Sequence, residues 1–137
     1  MVPEGMLEGI LVVVPSGAGH PAILVLCSCP DESVALDIAR VLVKERLAAC
    51  VQRLSQVQSI YAWQGQICEQ PEQLLMIKTT PARYEALEMR LKALHPYEIP
   101  EIIAIPVVAG SDQYLAWAAA ATDTHTVDST PLSVHPT

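Results

Sequence analysis

Ala22-Ile23-Leu24-Val25-Leu26-Cys27 carries six apolar residues in a row, and Leu74-Leu75-Met76-Ile77 repeats the pattern further along the chain. Runs this short are of strand length, and a strand that is apolar on both faces must be covered on both faces. In a chain of 137 residues few arrangements satisfy that demand. Helices can take one side of such a sheet, and a neighbouring subunit is a natural cover for the other. With 51% hydrophobic residues there is enough material for one well-formed core, so the chain reads as a single domain.

Two helical patterns supply the first cover. From Glu32 to about Ala49, Val34, Ile38, Val41 and Leu42 share one face, with acids at Asp31 and Glu32 and bases at Lys44 and Arg46 placed to suit the helix dipole. Thr80-Pro81 reads as an N-cap and first-turn proline, and Tyr84, Leu87, Leu91 and Leu94 form the apolar face of a helix that stops at His95-Pro96. Between the helices, Cys50 to Trp63 and Ile67 to Thr79 flank the turn Gln64-Gly65-Gln66 and predict an antiparallel hairpin. Pro71 calls for a bulge or an edge position in the second of these strands. A strand from Ile102 to Val108, again with a proline at 106, and a short helix opened by Gly110-Ser111-Asp112 complete the pattern. The order βαββαβ with an added C-terminal helix predicts a ferredoxin-like α+β fold, an antiparallel sheet with two helices on one face.

The ends of the chain differ in character. Residues 1–21, interrupted by seven glycines and prolines, read as a poorly ordered extension in which Met6 is an alternative start, and the Thr, Ser and Pro of residues 123–137 read as a disordered tail. The folded domain is expected over residues 22–122. A net charge of −7 argues against nucleic acid as a partner, since phosphate binding needs a basic patch. No apolar run approaches the ~18 to 20 residues of a membrane span, and the first twenty residues lack the Lys or Arg of a signal peptide. The cytoplasm is the expected compartment, where Cys27, Cys29, Cys50 and Cys68 would stay reduced.

Chemistry is concentrated in His95-Pro96-Tyr97-Glu98-Ile99-Pro100-Glu101-Ile102, which joins the second helix to the last strand. Each proline fixes its own φ and drives its predecessor towards extended geometry, so this backbone is stiff and its side chains are pre-aimed. A stiff connector after a helix can also be purely structural.

Taken with this segment, Leu24-Val25-Leu26-Cys27-Ser28-Cys29-Pro30, Leu47-Ala48-Ala49-Cys50-Val51, Ser59-Ile60-Tyr61-Ala62-Trp63, Lys78-Thr79 and Tyr114-Leu115-Ala116-Trp117 resemble the CutA family of divalent-cation tolerance proteins, in its order and spacing over about residues 22–118. The resemblance implies a cytoplasmic homotrimer whose sheets pack around a threefold axis, linked with tolerance of copper and other divalent ions. It also implies copper binding at Cys27 and His95. The sequence departs at Leu94, which stands where some members carry a second histidine.

A thiolate and an imidazole suit copper or zinc, and a stable site needs a third ligand. Glu101, Cys29 or a group from another subunit could supply it. Cys29 lies two residues from Cys27, so in a strand both thiols could face one way. The plain alternative is that Cys27 is a core cysteine closing a strand. Cys50 and Cys68 are assigned to packing.

Tyr61, Trp63, Lys78 and Tyr97, with Glu101, form a second candidate set, which the resemblance places near clefts between subunits. An aromatic wall with a cation and a carboxylate could bind a small anionic or amphoteric ligand, as in a signalling or scaffold trimer similar to the PII regulators. The competing reading has the aromatics packing an interface and Lys78 pairing with Glu101 or Glu98. An enzyme is not expected, because His95 is the one candidate base in the domain and the chain has no asparagine for an acylphosphatase-type site.

Overall fold

The computed structural model describes residues 19–124. The extension expected over residues 1–21 and the tail expected over 123–137 therefore lie outside the described residues, apart from 19–21 and 123–124.

Strand β1 (Ile23–Cys29) pairs antiparallel along its whole length with β3 (Gln66–Thr79), and from Ile23 to Leu26 with β4 (Ile103–Pro106). Strand β2 (Cys50–Trp63) pairs antiparallel with β3, which gives the sheet order β2-β3-β1-β4. Helices α1 (Glu32–Lys44) and α2 (Tyr84–Leu94) cover one face. This is the ferredoxin-like α+β arrangement, completed by α3 (Asp112–Ala121), which packs against β3.

Side-chain alternation along the strands sorts the apolar residues into two faces. Ile23, Val25, Cys27, Cys29, Leu75 and Ile77 point towards the helices and meet Ala35, Ile38, Leu42, Leu87 and Leu91 in the core. Leu24, Leu26, Leu74 and Met76 share the opposite face with the more exposed Leu54, Ile103 and Ile105. Among the described residues no helix covers that second face, apart from the contact of α3 with β3.

Helix α1 is capped by Asp31, whose carboxylate accepts from Val34 N–H at 2.9 Å. It stops at Lys44, short of the expected Ala49. Arg46 takes a left-handed φ of 60°, and the turn sends Leu47, Ala48 and Ala49 into the core. Thr80 makes no side-chain cap; a 3-10 turn, Pro81–Arg83, leads into α2 instead. The last strand is shorter than Ile102 to Val108, since its ladder with β1 ends at Pro106, although Val107 N–H still reaches Ala22 O at 3.1 Å.

Pro71 lies opposite Gln58, beyond the point where β1 ends against Gln73, so its missing N–H costs no ladder bond on that side. The irregularity falls on β2, between Leu54 and Val57, where Gln56 has a φ of 62°. Past it, β2 and β3 continue as a two-stranded arm to the turn at Gln64-Gly65.

Leu87 is fully buried and Met89, two residues on, is 68% exposed. Leu87→Ala is expected to cost about 2–5 kcal/mol and Met89→Ala less than about 0.5 kcal/mol. Urea unfolding followed by circular dichroism measures both.

Candidate metal site and cleft

Cys27 and Cys29 lie on the helix-facing side of β1, and His95 follows directly on α2. One ligating atom from each of the three lies within 4.8 Å of the others, and all three residues are buried. His95 is held from both sides: one ring nitrogen, Nε2, lies 2.8 Å from Ser28 O, and the other, Nδ1, lies 3.1 Å from Tyr97 N. A carbonyl can only accept and a peptide N–H can only donate, so these partners fix the neutral tautomer with its proton on Nε2. A metal that takes His95 must displace one of the two bonds.

The two thiols influence each other. A hydrogen bond to Cys29, reinforced by burial, pushes the Cys27 thiol well above its ordinary range, while Cys29, as the acceptor, is lowered. Two sulfurs and an imidazole on buried residues are a donor set for a soft or borderline ion, so the residues fit copper or zinc. Such an ion would supply the positive charge that converts this thiol pair into a thiolate pair.

Glu101 does not belong to that triad. It is exposed, and it accepts from Ser28 Oγ at 3.4 Å. Ser28 alternates with Cys27 and Cys29 and points to the other face of the sheet, so Glu101 is held on the side away from the thiols. Cys29 takes the third place.

On that other face, the arm of β2 and β3 and the segment 96–101 enclose a cleft of about 730 Å³. Tyr61, Trp63 and Tyr97 line it, together with Glu101. Lys78 does not: it lies six residues past Glu72 on β3, about 20 Å along the strand, and its ammonium meets Gln52 rather than Glu98 or Glu101. Cys68, assigned to packing, lines the cleft as well, whereas Cys50 is half-buried beside Tyr114.

The residue that sequence reasoning missed is Glu72. It is 6% exposed, lines the cleft and accepts from Tyr97 Oη at 2.6 Å. Its signal was present, since Glu72 shares the strand parity of Leu74 and Met76 and puts a carboxylate on an otherwise apolar face. Tyr97 thus makes three contacts with two partners: its N–H holds the His95 imidazole, its ring lies 4.8 Å from that imidazole, and its hydroxyl holds Glu72.

Residues 23–121 match the family described as CutA1 divalent ion tolerance protein. The chain belongs to this family. It is 50% identical over 94 residues to the divalent-cation tolerance protein CutA of Thermus thermophilus, covering 69% of this chain and 91% of that protein. It is 45% identical over 105 residues to protein CutA of Mus musculus, covering 77% of this chain and 59% of the mouse protein, so it spans somewhat over half of that longer relative. A solved structure of the Thermus thermophilus protein superposes with a TM-score of 0.73 at 47% identity, covering 74% of this chain and 99% of the other.

Burial, with the bond to Glu72, pushes the Tyr97 phenol above its ordinary value near 10. A raised folded pKa means that the neutral phenol is the stabilised form. Its contribution is complete below about pH 10 and is lost as pH rises beyond the phenol's unfolded value. Tyr97→Phe is therefore expected to lower the melting temperature at neutral pH and to flatten its decline between about pH 10 and about pH 12. Thermal melts across that range measure the effect.

Proposed function

We propose that this CutA-family protein is a cytoplasmic homotrimer that binds copper or another divalent metal ion at Cys27, Cys29 and His95 and takes part in the response to metal ions. One observation carries the reading: two thiols and an imidazole, all on buried residues, lie within 4.8 Å of one another. The name of the family supports it, as does the tolerance label of the relative from Thermus thermophilus. Binding rather than catalysis is the activity assigned. The free state of all four cysteines fits a reducing compartment, and among the described residues no helix is long and apolar enough to cross a membrane.

Three copies around an axis would cover the open face of the sheet. Support comes from the apolar row along that face, where Ile103 is 50% and Ile105 is 42% exposed in the single chain. A second reading is a PII-like signalling or scaffold trimer that takes a small molecule in the cleft, and the cleft's volume of about 730 Å³ and its aromatic walls favour it.

Chelator-competition titration of Cu(I), Cu(II) and Zn(II) on the reduced protein tests the metal reading. Binding is expected at one ion per chain, weakened by at least about tenfold in Cys27→Ser, Cys29→Ser and His95→Ala, and unchanged in Glu101→Gln. Weak binding that all variants retain would move the function to the cleft. Light scattering is expected to return about three times the 14.8 kDa chain mass. Ile105→Lys, placing a charge on the open face, is expected to shift that mass towards the monomer.

A further inference from the structure

Cys27 and Cys29 belong to the core between the sheet and the helices, on the face of β1 opposite to the one that neighbouring copies would cover. Their site with His95 is therefore built from a single chain. Three ligand atoms converge there, none more than 4.8 Å from another, and among the described residues no fourth histidine, cysteine or carboxylate joins them. Glu101 and Glu72 are held on the other face, by Ser28 and Tyr97. The Ser28 carbonyl, 4.0 Å from Cys27 Sγ, already accepts from His95 Nε2. Zinc closes a structural site with four protein ligands, and where it has three it keeps water in the fourth position. Cys27 and Cys29 are 0% exposed and His95 is 7% exposed, so the site is shielded from the water that would fill that position.

We propose that Cys27, Cys29 and His95 take copper as the monovalent ion, Cu(I), in a three-coordinate site of two sulfurs and one nitrogen, in preference to any divalent ion. This rests on the reading of the three residues as a metal site and names the charge and coordination of its ion. Three features select Cu(I). Thiolates are the soft ligands that favour it, and this closed-shell ion is satisfied by two or three donors, whereas divalent copper and zinc draw in a fourth. The cost of taking an ion out of water grows with the square of its charge, so a buried site with few donors favours the lower charge. Lastly, strand geometry protects the reduced thiols that Cu(I) requires. Cys27 and Cys29 stand opposite Leu75 and Gln73 in an unbroken ladder, which sets their Cα atoms about 6.8 Å apart. That spacing is at the far limit for a disulfide, so the two thiols can share an ion more readily than they can bond each other.

The test is X-ray absorption spectroscopy of the full-length reduced protein loaded anaerobically with one equivalent of Cu(I), followed by competition with Zn(II). The expected copper shell holds two sulfurs and one imidazole nitrogen and loses one sulfur in Cys29→Ser. An excess of Zn(II) of about a hundredfold is expected to leave the copper in place. A fourth ligand on copper, a shell without the imidazole, or displacement by Zn(II) overturns the proposal while leaving these residues a metal site. Copper that a Cu(I) chelator removes equally well from the unsubstituted protein and from Cys27→Ser, Cys29→Ser and His95→Ala overturns the metal-site reading itself. The spectrum of the unsubstituted protein decides the number of ligands even where a core variant does not fold.

Discussion

Strand β1 sends Ile23, Val25, Cys27 and Cys29 inward and turns Leu24, Leu26 and Ser28 outward, and the two candidate sites are divided by that alternation. The inward row anchors both helices and places two thiols side by side under the start of the segment 95–102. The outward row begins the apolar face and ends at Ser28, whose hydroxyl holds Glu101 in the cleft. Soft ligands therefore collect on one side of a single strand and carboxylates on the other. Burial, not sequence distance, keeps them apart.

Tyr97 is the joint between the two sides. Through its N–H it holds Nδ1 of His95, and through its hydroxyl it holds Glu72 on the β3 arm. The stiffness that Pro96 and Pro100 impose on the surrounding backbone limits how far this joint can shift without moving both ends. Occupancy of the thiol pocket and the shape of the cleft consequently share a mechanical element, which is one physical basis for communication between sites.

Much of this was legible in the sequence, and the parts that were not have a common cause. Periodicity located both helices and all four strands, because apolar spacing reports which face is buried. The proline-framed segment pointed to His95 and Tyr97, and the spacing of Cys27 and Cys29 allowed a shared face. Lys78, Glu101 and Glu72 were harder, since their neighbours depend on register across the sheet rather than on neighbours along the chain. Lys78 is on the same face as the cleft but at the wrong height, Glu101 is on the wrong face for the thiols, and Glu72 meets Tyr97 across 25 residues of sequence. The end of α1 was misjudged for a related reason: the turn at Arg46 is imposed by the need to bury Leu47 to Ala49, a tertiary demand that local propensity does not record.

The short reach of β4 has one more consequence. Its ladder with β1 ends at Leu26, and two residues later the imidazole of His95 bonds the Ser28 carbonyl that no strand has paired on that side. A side chain thus finishes the hydrogen bonding of a strand whose neighbour has run out. Any ligand that captures His95 at Nε2 frees that carbonyl and lengthens the unpaired border of the sheet. Ser28 is 8% exposed, so the freed carbonyl would be a buried acceptor that has lost its ring N–H donor, which is costly. Loading through Nε2 therefore carries this penalty, whereas loading through Nδ1 leaves the carbonyl bonded and gives up the bond from Tyr97 N–H instead.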